Sequence, residues 1–335
     1  MRYNSEVISN NKEKLNSKKT SRKNNLIKRL LGSRNLGDLI FERLTLLFAV
    51  LVFLLIVFMG YEMYTQSKLS ISKFGWHFLF NTTWNPVDEV FGAAPAIFGT
   101  LVSSFLALLI SLPLGLGVAI FLSELSPSWL EKPLSFLTEL LAGIPSVVYG
   151  LWGIFILVPW LRTVVEPFLM KHYGYLPFFK GVPYGFGMLA AVIILSIMVL
   201  PIISSISRDV LKAVPTSQRA AAFALGATKW ESTKIVLANA RTGILGATML
   251  GMGRAVGETM AVTMVIGNRP MISASLFNPS YTMASVLANE FTEATSDLYL
   301  NSLIELALIL FIITIIINIA ARLLVWSMER KWKKA

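Results

Sequence analysis

Arg254 and Glu258 are the two residues whose types and positions most demand a chemical explanation. They interrupt an apolar stretch, Gly243 to Gly267, that is long enough to cross a bilayer. Each charge costs roughly 2.5–3.5 kcal/mol at the centre of a spanning helix, and lipid alone requires neither. A charge retained there points to function by default. The two lie four residues apart, on one helix face about one turn from each other, so they can partly neutralise one another. A guanidinium offers an anion both charge and a planar fork of donors. The carboxylate beside it would weaken the hold on such an anion. The plain alternative is an ion pair that only fixes helix packing, although an apolar pair usually serves that purpose at least as well.

Other chemistries find little support. Gly251, Gly253 and Gly257 have the spacing G-x-G-x-x-x-G with no strand before them, which is not a phosphate-cradling loop. Gly253 and Gly257 fit a small-residue face on which a second helix could pack. There is no G-x-x-x-x-G-K-[ST], so the chain has no P-loop for ATP, and there is no H-E-x-x-H. No serine elbow or carboxylate pair stands out in the apolar runs. With no cysteine, thiolate chemistry, thiolate metal sites and disulfides are excluded. The two histidines, His77 and His172, lie between apolar runs and read as ordinary loop or interface residues. No catalytic residue, metal ligand or cofactor is assigned, and an integral-membrane enzyme is the weaker class.

The elements that must position Arg254 and Glu258 are membrane spans. Of 335 residues, 55% are hydrophobic and only 15% charged, and the mean hydropathy is +0.64. Uncharged runs appear at 44–61, 90–123, 140–161 and 181–207, followed by 242–268 with its two charges and by 306–321, extendable to Trp326. Six crossings follow, and the fold class is an all-α polytopic membrane helical bundle. A net charge of +11 raises nucleic acid as a partner, but the basic residues flank apolar runs, so topology explains them better.

Lysine and arginine also set the expected orientation. Residues 1–43 carry eleven of them against four acids. The segment between spans four and five holds Arg208, Lys212, Arg219, Lys229, Lys234 and Arg241, and Arg322, Arg330, Lys331, Lys333 and Lys334 cluster at the end. All three regions are expected in the cytosol. Loop 269–302, with Arg269 against Glu290, Glu293 and Asp297, suits the outside, whereas loop 162–180 with Arg162, Lys171 and Lys180 is an exception on that side. Residues 1–36 read as a disordered basic cytosolic tail ahead of a permease domain over 37–335, with the first span as a signal anchor. No internal repeat is evident, which counts against inverted-repeat secondary transporters.

Residues 208–241 have the grammar of a docking element. Thr216 or Ser217 can cap a short helix through Ala220, Ala221, Ala222 and Ala224, and Gly226 can supply its left-handed end. Thr228 and Glu231 match a capping box, so a second short helix is expected at once. The small residues leave the backbone approachable by a cytosolic partner. A solvated loop helix is the bland alternative. A DNA-reading helix-turn-helix is disfavoured because both ends are pinned near the bilayer.

This segment resembles the coupling loop of ABC importer permeases, whose pattern is Glu-Ala-Ala, three residues, Gly, nine residues, then Ile-x-Leu-Pro. Aligned on Gly226, Ala221 and Ala222 match, while Ala220 replaces the Glu and Ala238-Asn239 replace Leu-Pro. The stretches Pro113 to Leu125, Glu139 to Pro159 and Gly253 to Asn268 resemble the phosphate-specific ABC permeases, in wording closer to the C-type than the A-type member of the pair. The resemblance covers about residues 40–330. It implies a type I importer (MetI-like) fold in a bacterial inner membrane and a homologous A-type permease partner. It also implies two cytosolic ATP-binding subunits, an extracytoplasmic phosphate-binding protein, and Arg254 and Glu258 as pathway charges. A secondary transporter or channel for an anionic solute is the alternative reading.

Overall fold

The structure, a computed structural model, describes residues 36–332, with side chains over 37–327. The basic segment 1–35 and the basic residues after Arg322 lie outside the described side chains. Among the described residues six helices are long and apolar enough to span a bilayer: Gly37–Gln66, Ala94–Leu125, Ser146–Tyr173, Met188–Ala213, Lys229–Gly257 and Asp297–Ser327. Six had been expected.

Two units part between Tyr61 and Glu62, within the first helix α1 (Leu36–Gln66). The first unit's part of α1 has no charged side chain after Arg43, which fits a membrane-spanning rod. The second unit holds all the elements that surround Arg254. Its central helix is α5 (Met188–Ala213), by burial the innermost span. It packs against α2 (Ala94–Ile120), α3 (Ser128–Ala142) and α7 (Lys229–Gly257). The remaining elements used below are α4 (Ser146–Trp152), α6 (Thr216–Ala224), α8 (Met260–Val265), α9 (Met283–Glu290) and α10 (Asp297–Trp332).

Small residues decide how closely these helices meet. On α2, Gly99, Ser103, Ala107, Ser111, Gly115 and Ala119 recur at every fourth position and are all buried. Fourth residues are neighbours on a helix, so they form one continuous low ridge against which α5 can lie. A β-carbon on Gly115 would meet Ile203 at 3.0 Å, and Ser196 donates to the carbonyl of Ala107 at 3.3 Å. From the other side Gly251 approaches Val199, and Gly243 abuts Val210. The close α5–α7 seam therefore uses Gly243 and Gly251. Gly253 and Gly257, which fit a small-residue packing face, have among the described residues no atom outside their own stretch of helix within 4 Å of where a β-carbon would stand.

The outer layer is held by an aromatic cluster around one carboxylate. Glu290 accepts from Trp84 Nε1 at 2.5 Å, Tyr281 Oη at 2.9 Å and Tyr299 Oη at 2.7 Å. Burial and the nearby acidic charge of Glu290 push the Tyr281 hydroxyl well above its ordinary range, so it serves as a donor. Phe78, Phe91, Met283 and Leu303 fill the space beneath. Gly99 docks α2 onto this layer: a β-carbon there would collide with the Tyr281 carbonyl and stand 3.0 Å from Ser280 Oγ. Because the obstacle is backbone, Gly99→Ala should cost about 1–3 kcal/mol. The measurement is the melting temperature of the purified complex, expected several degrees lower; an unchanged value would mean that the seam relaxes freely.

Candidate functional site

The fifth span is built differently from the expected isolated apolar segment. Its helix starts at the capping box, where Thr228 N–H donates to Glu231 at 2.8 Å and the Thr228 hydroxyl accepts from Glu231 N–H at 3.4 Å. It then runs unbroken for 29 residues to Gly257. The second short helix expected of the docking element is thus the first part of a span. Asn239 stands where the importer pattern has proline and keeps its side chain on the Ile235 carbonyl at 2.8 Å, so nothing interrupts α7. Thirteen residues separate Arg241 from Arg254, about 20 Å of helix, which is well into a hydrocarbon layer of about 30 Å.

At that depth the helix stops. Glu258 is extended (ψ 126°), Thr259 follows with its hydroxyl on the Gly257 carbonyl at 3.2 Å, and the chain resumes as α8. Arg254 and Glu258 therefore do not share the face of one continuous helix, as their spacing suggested. Arg254 lies in the last turn of α7, and Glu258 sits in the break. The buried Glu258 carboxylate accepts from Ala261 N–H at 3.4 Å, tying the two sides of the break together. Its other oxygen stands 4.0 Å from the Arg254 guanidinium, at the outer edge of ion pairing. The Arg254 side chain is 39% exposed against 7% for Glu258. The carboxylate is committed to the backbone, and the guanidinium stays available.

Irregular backbone at membrane depth persists only where protein surrounds it or a watery cavity adjoins it. Here protein backs one side of the break. Ala255 and Val256 are buried, with Ala255 packed among Val199 and Ile203. Gly150 on α4 lets α8 approach so closely that a β-carbon would stand 3.2 Å from Ala261 Cα and strike Met264. Tyr149 fixes that helix by donating to the Leu141 carbonyl at 2.9 Å. The opposite side, with Gly253, Arg254 and Gly257, is open in this chain. Chemically the arrangement is one deep, accessible cation on a rigid backing.

The expected docking element is α6 and the turn after it. Pro215 occupies the cap position and no side-chain cap forms, so neither Thr216 nor Ser217 caps the helix. Proline ahead of the first turn fixes the chain's approach instead. The expected left-handed end is present: Gly226 has φ +81°, its N–H donates to Phe223 at 3.0 Å, and Ala227 N–H donates to Ala222 at 3.0 Å. These two bonds make a Schellman ending. Ala222 is buried against the rest of the unit, while Ala220, Ala221, Phe223 and Leu225 face outward, Leu225 90% exposed. Phe223 and Leu225 thus leave an exposed apolar knob beside small residues.

Ion pairs beneath α6 were not foreseen. Arg219 forks onto both oxygens of Glu124, at 3.1 and 2.7 Å, and donates to the carbonyls of Val214 and Leu211 at 2.7 and 2.9 Å. The Glu124 bond and its charge hold the Arg219 guanidinium above its ordinary pKa, against the opposing effect of burial. Buried Arg208 pairs with Glu139 at 2.9 Å and Asp209 at 2.8 Å, and Lys212 pairs with Glu131. The Lys212 hydrogen bond draws the Glu131 carboxyl below the usual range. Partners 69 to 95 residues apart leave no local sequence signal. Glu290 was likewise read only as an outer charge.

Known proteins place this geometry. Residues 111–334 match the family described as binding-protein-dependent transport system inner membrane component. The phosphate transport system permease protein PstC of Mesorhizobium japonicum is 46% identical over 88% of this chain and 92% of its own length. That of Pasteurella multocida is 46% identical over 88% and 93%, and that of Haemophilus influenzae 44% over 87% and 94%. The fold is similar to a chain of the MetNI methionine ABC transporter, solved in inward-facing conformations, with TM-score 0.53 at 18% identity, covering 69% of this chain and 94% of that one. With its MetI-like fold, six spans and these relatives, the chain belongs to the binding-protein-dependent inner-membrane transport components and, within them, to the PstC permease family.

Proposed function

We propose that this chain is one of two homologous permeases in an ATP-driven importer of inorganic phosphate, and that Arg254 carries the anion's charge at mid-membrane. The observation that supports this most is the broken fifth span, which leaves a guanidinium exposed on an open face while its carboxylate neighbour is engaged by the break. Phosphate is a multivalent oxyanion, and a forked cation in a low-dielectric passage is what it needs. Glu258 acts from 4.0 Å, close enough to weaken the hold without cancelling the charge. The open glycine face of Gly253 and Gly257 is where the A-type permease or the passage itself adjoins the chain.

An extracytoplasmic phosphate-binding protein delivers the substrate, and two cytosolic subunits hydrolyse ATP, since the chain has no P-loop of its own. One of them receives α6 through Ala220, Ala221, Phe223 and Leu225, with Gly226 setting the angle of the turn. The protein sits in the bacterial inner membrane with both termini cytosolic.

Co-purification tests the assembly. A second permease and an ATPase should elute with this chain, and ATP hydrolysis should rise when phosphate-loaded binding protein is added. Elution of the chain alone from a functional membrane would contradict it. Orientation is tested with cysteines, of which the chain has none of its own. Thr292→Cys and Lys229→Cys are both at exposed positions. In intact cells a membrane-impermeant maleimide should label the first and spare the second; the reverse pattern would invert the topology.

A further inference from the structure

We propose that Arg219 is the strut through which movement of α6 reaches the membrane helices, acting on the ends of two spans at once. The inference rests on the importer reading above and adds the residue that makes α6 a lever rather than a tethered knob. Arg219 is half-buried on α6, one turn before buried Ala222. Its guanidinium spends four bonds on three separate pieces of backbone or side chain. Two go to Glu124, whose carboxylate belongs to the inner end of the second span, Ala94–Leu125. The other two go to the carbonyls of Leu211 and Val214, at the end of α5.

Each contact has a local physical reason. The last carbonyls of a helix have no partner within it and carry the negative end of its dipole, so a cation that donates there is doubly favoured. Glu124 is presented by a wide final turn over Phe121–Leu125, closed by Ser126 N–H on the Phe121 carbonyl at 2.7 Å. Wide turns of this kind recur where a side chain must be aimed. A bidentate arginine–carboxylate pair fixes orientation as well as distance, which lysine cannot do. The Glu124 side chain is only 8% exposed and that of Arg219 19%, so water does little to loosen the pair. The neighbouring pairs differ in kind: Arg208–Glu139 and Lys212–Glu131 join α5 to α3 and never touch α6. Within α6, Arg219 is the residue with side-chain bonds to both span ends.

Without the strut, the outward face of α6 would still engage the ATPase, but its displacement would be absorbed by the turn at Pro215. Arg219→Gln and Glu124→Gln are therefore expected to assemble, to hydrolyse ATP, and to lose at least tenfold in phosphate taken up per ATP. Arg219→Lys, which keeps the charge without the fork, should fall between. The decisive variant is Glu124→Cys with Arg219→Cys, in a complex whose other subunits lack cysteine. Uptake per ATP should be lost in the free dithiol and recover to at least half when a short bis-maleimide bridges the two thiols. A purely structural role would not be restored by a covalent link.

Uptake per ATP within twofold of the unmodified value in both glutamine variants would overturn the strut. So would a bridged complex that hydrolyses ATP but stays uncoupled, or failure of every variant to assemble, which would make Arg219 a folding residue. Phosphate-loaded binding protein and the unmodified complex serve as the reference. If that reference shows no stimulated hydrolysis, the importer reading itself falls and takes the strut with it.

Discussion

Phosphate uptake should fall by about two orders of magnitude in Arg254→Gln. A charge left uncompensated at mid-membrane costs roughly 2.5–3.5 kcal/mol, and each 1.36 kcal/mol is tenfold in rate, so the loss lies near 70- to 400-fold. The side chain is partly exposed, and water in the passage reduces the cost, which makes tenfold the floor. The informative comparison is Arg254→Gln combined with Glu258→Gln. If the pair only held the break together, two neutral side chains of similar length would leave transport near normal, because a glutamine at 258 still accepts from Ala261 N–H. The proposed charge role requires the double variant to stay as inactive as the single one, with the complex assembled in both. Uptake by radiolabelled phosphate in whole cells decides between the two.

Gly226→Val should have the second-largest effect, and on a different quantity. At φ +81° a side chain is strained by on the order of 1–2 kcal/mol, and a β-branched one fits worst. Among the described residues no atom beyond the adjoining ones lies within 4 Å of the place a β-carbon would take, so the rest of the fold has no cause to move. The strain is relieved by turning α6 relative to α7, which re-aims the exposed apolar face. The variant should insert and assemble, yet lose at least tenfold in hydrolysis stimulated by the binding protein. Unchanged stimulation would remove the reason for treating this turn as the coupling element.

The spans were legible because about 20 apolar residues suffice to cross the hydrocarbon, and such runs can be counted directly. Gly226 and the Thr228–Glu231 box were legible for a similar reason, since each is a local pattern with a local cause. What escaped is mostly long-range or masked by polarity. The first part of α7, Lys229 to Arg241, is polar enough to look like a loop helix, yet good helix formers without proline carry it straight into the membrane. The break at Glu258 was hidden because an i,i+4 spacing of opposite charges is also what an intact helix would show. Gly253 and Gly257 match a packing motif that no helix of the described chain fills, whereas the buried fourth-residue ridge from Gly99 to Ala119 carries the packing within it. No local rule could have joined Arg219 to Glu124.

The direct test of the account is phosphate accumulation in proteoliposomes that hold this chain, its partner permease and the ATPase, with phosphate-binding protein outside and ATP inside. The account predicts uptake against a concentration gradient that needs both the binding protein and hydrolysable ATP, and that stops when a non-hydrolysable analogue replaces it. Uptake that persists without ATP, driven only by the phosphate gradient or the membrane potential, would contradict it and identify a channel or secondary transporter.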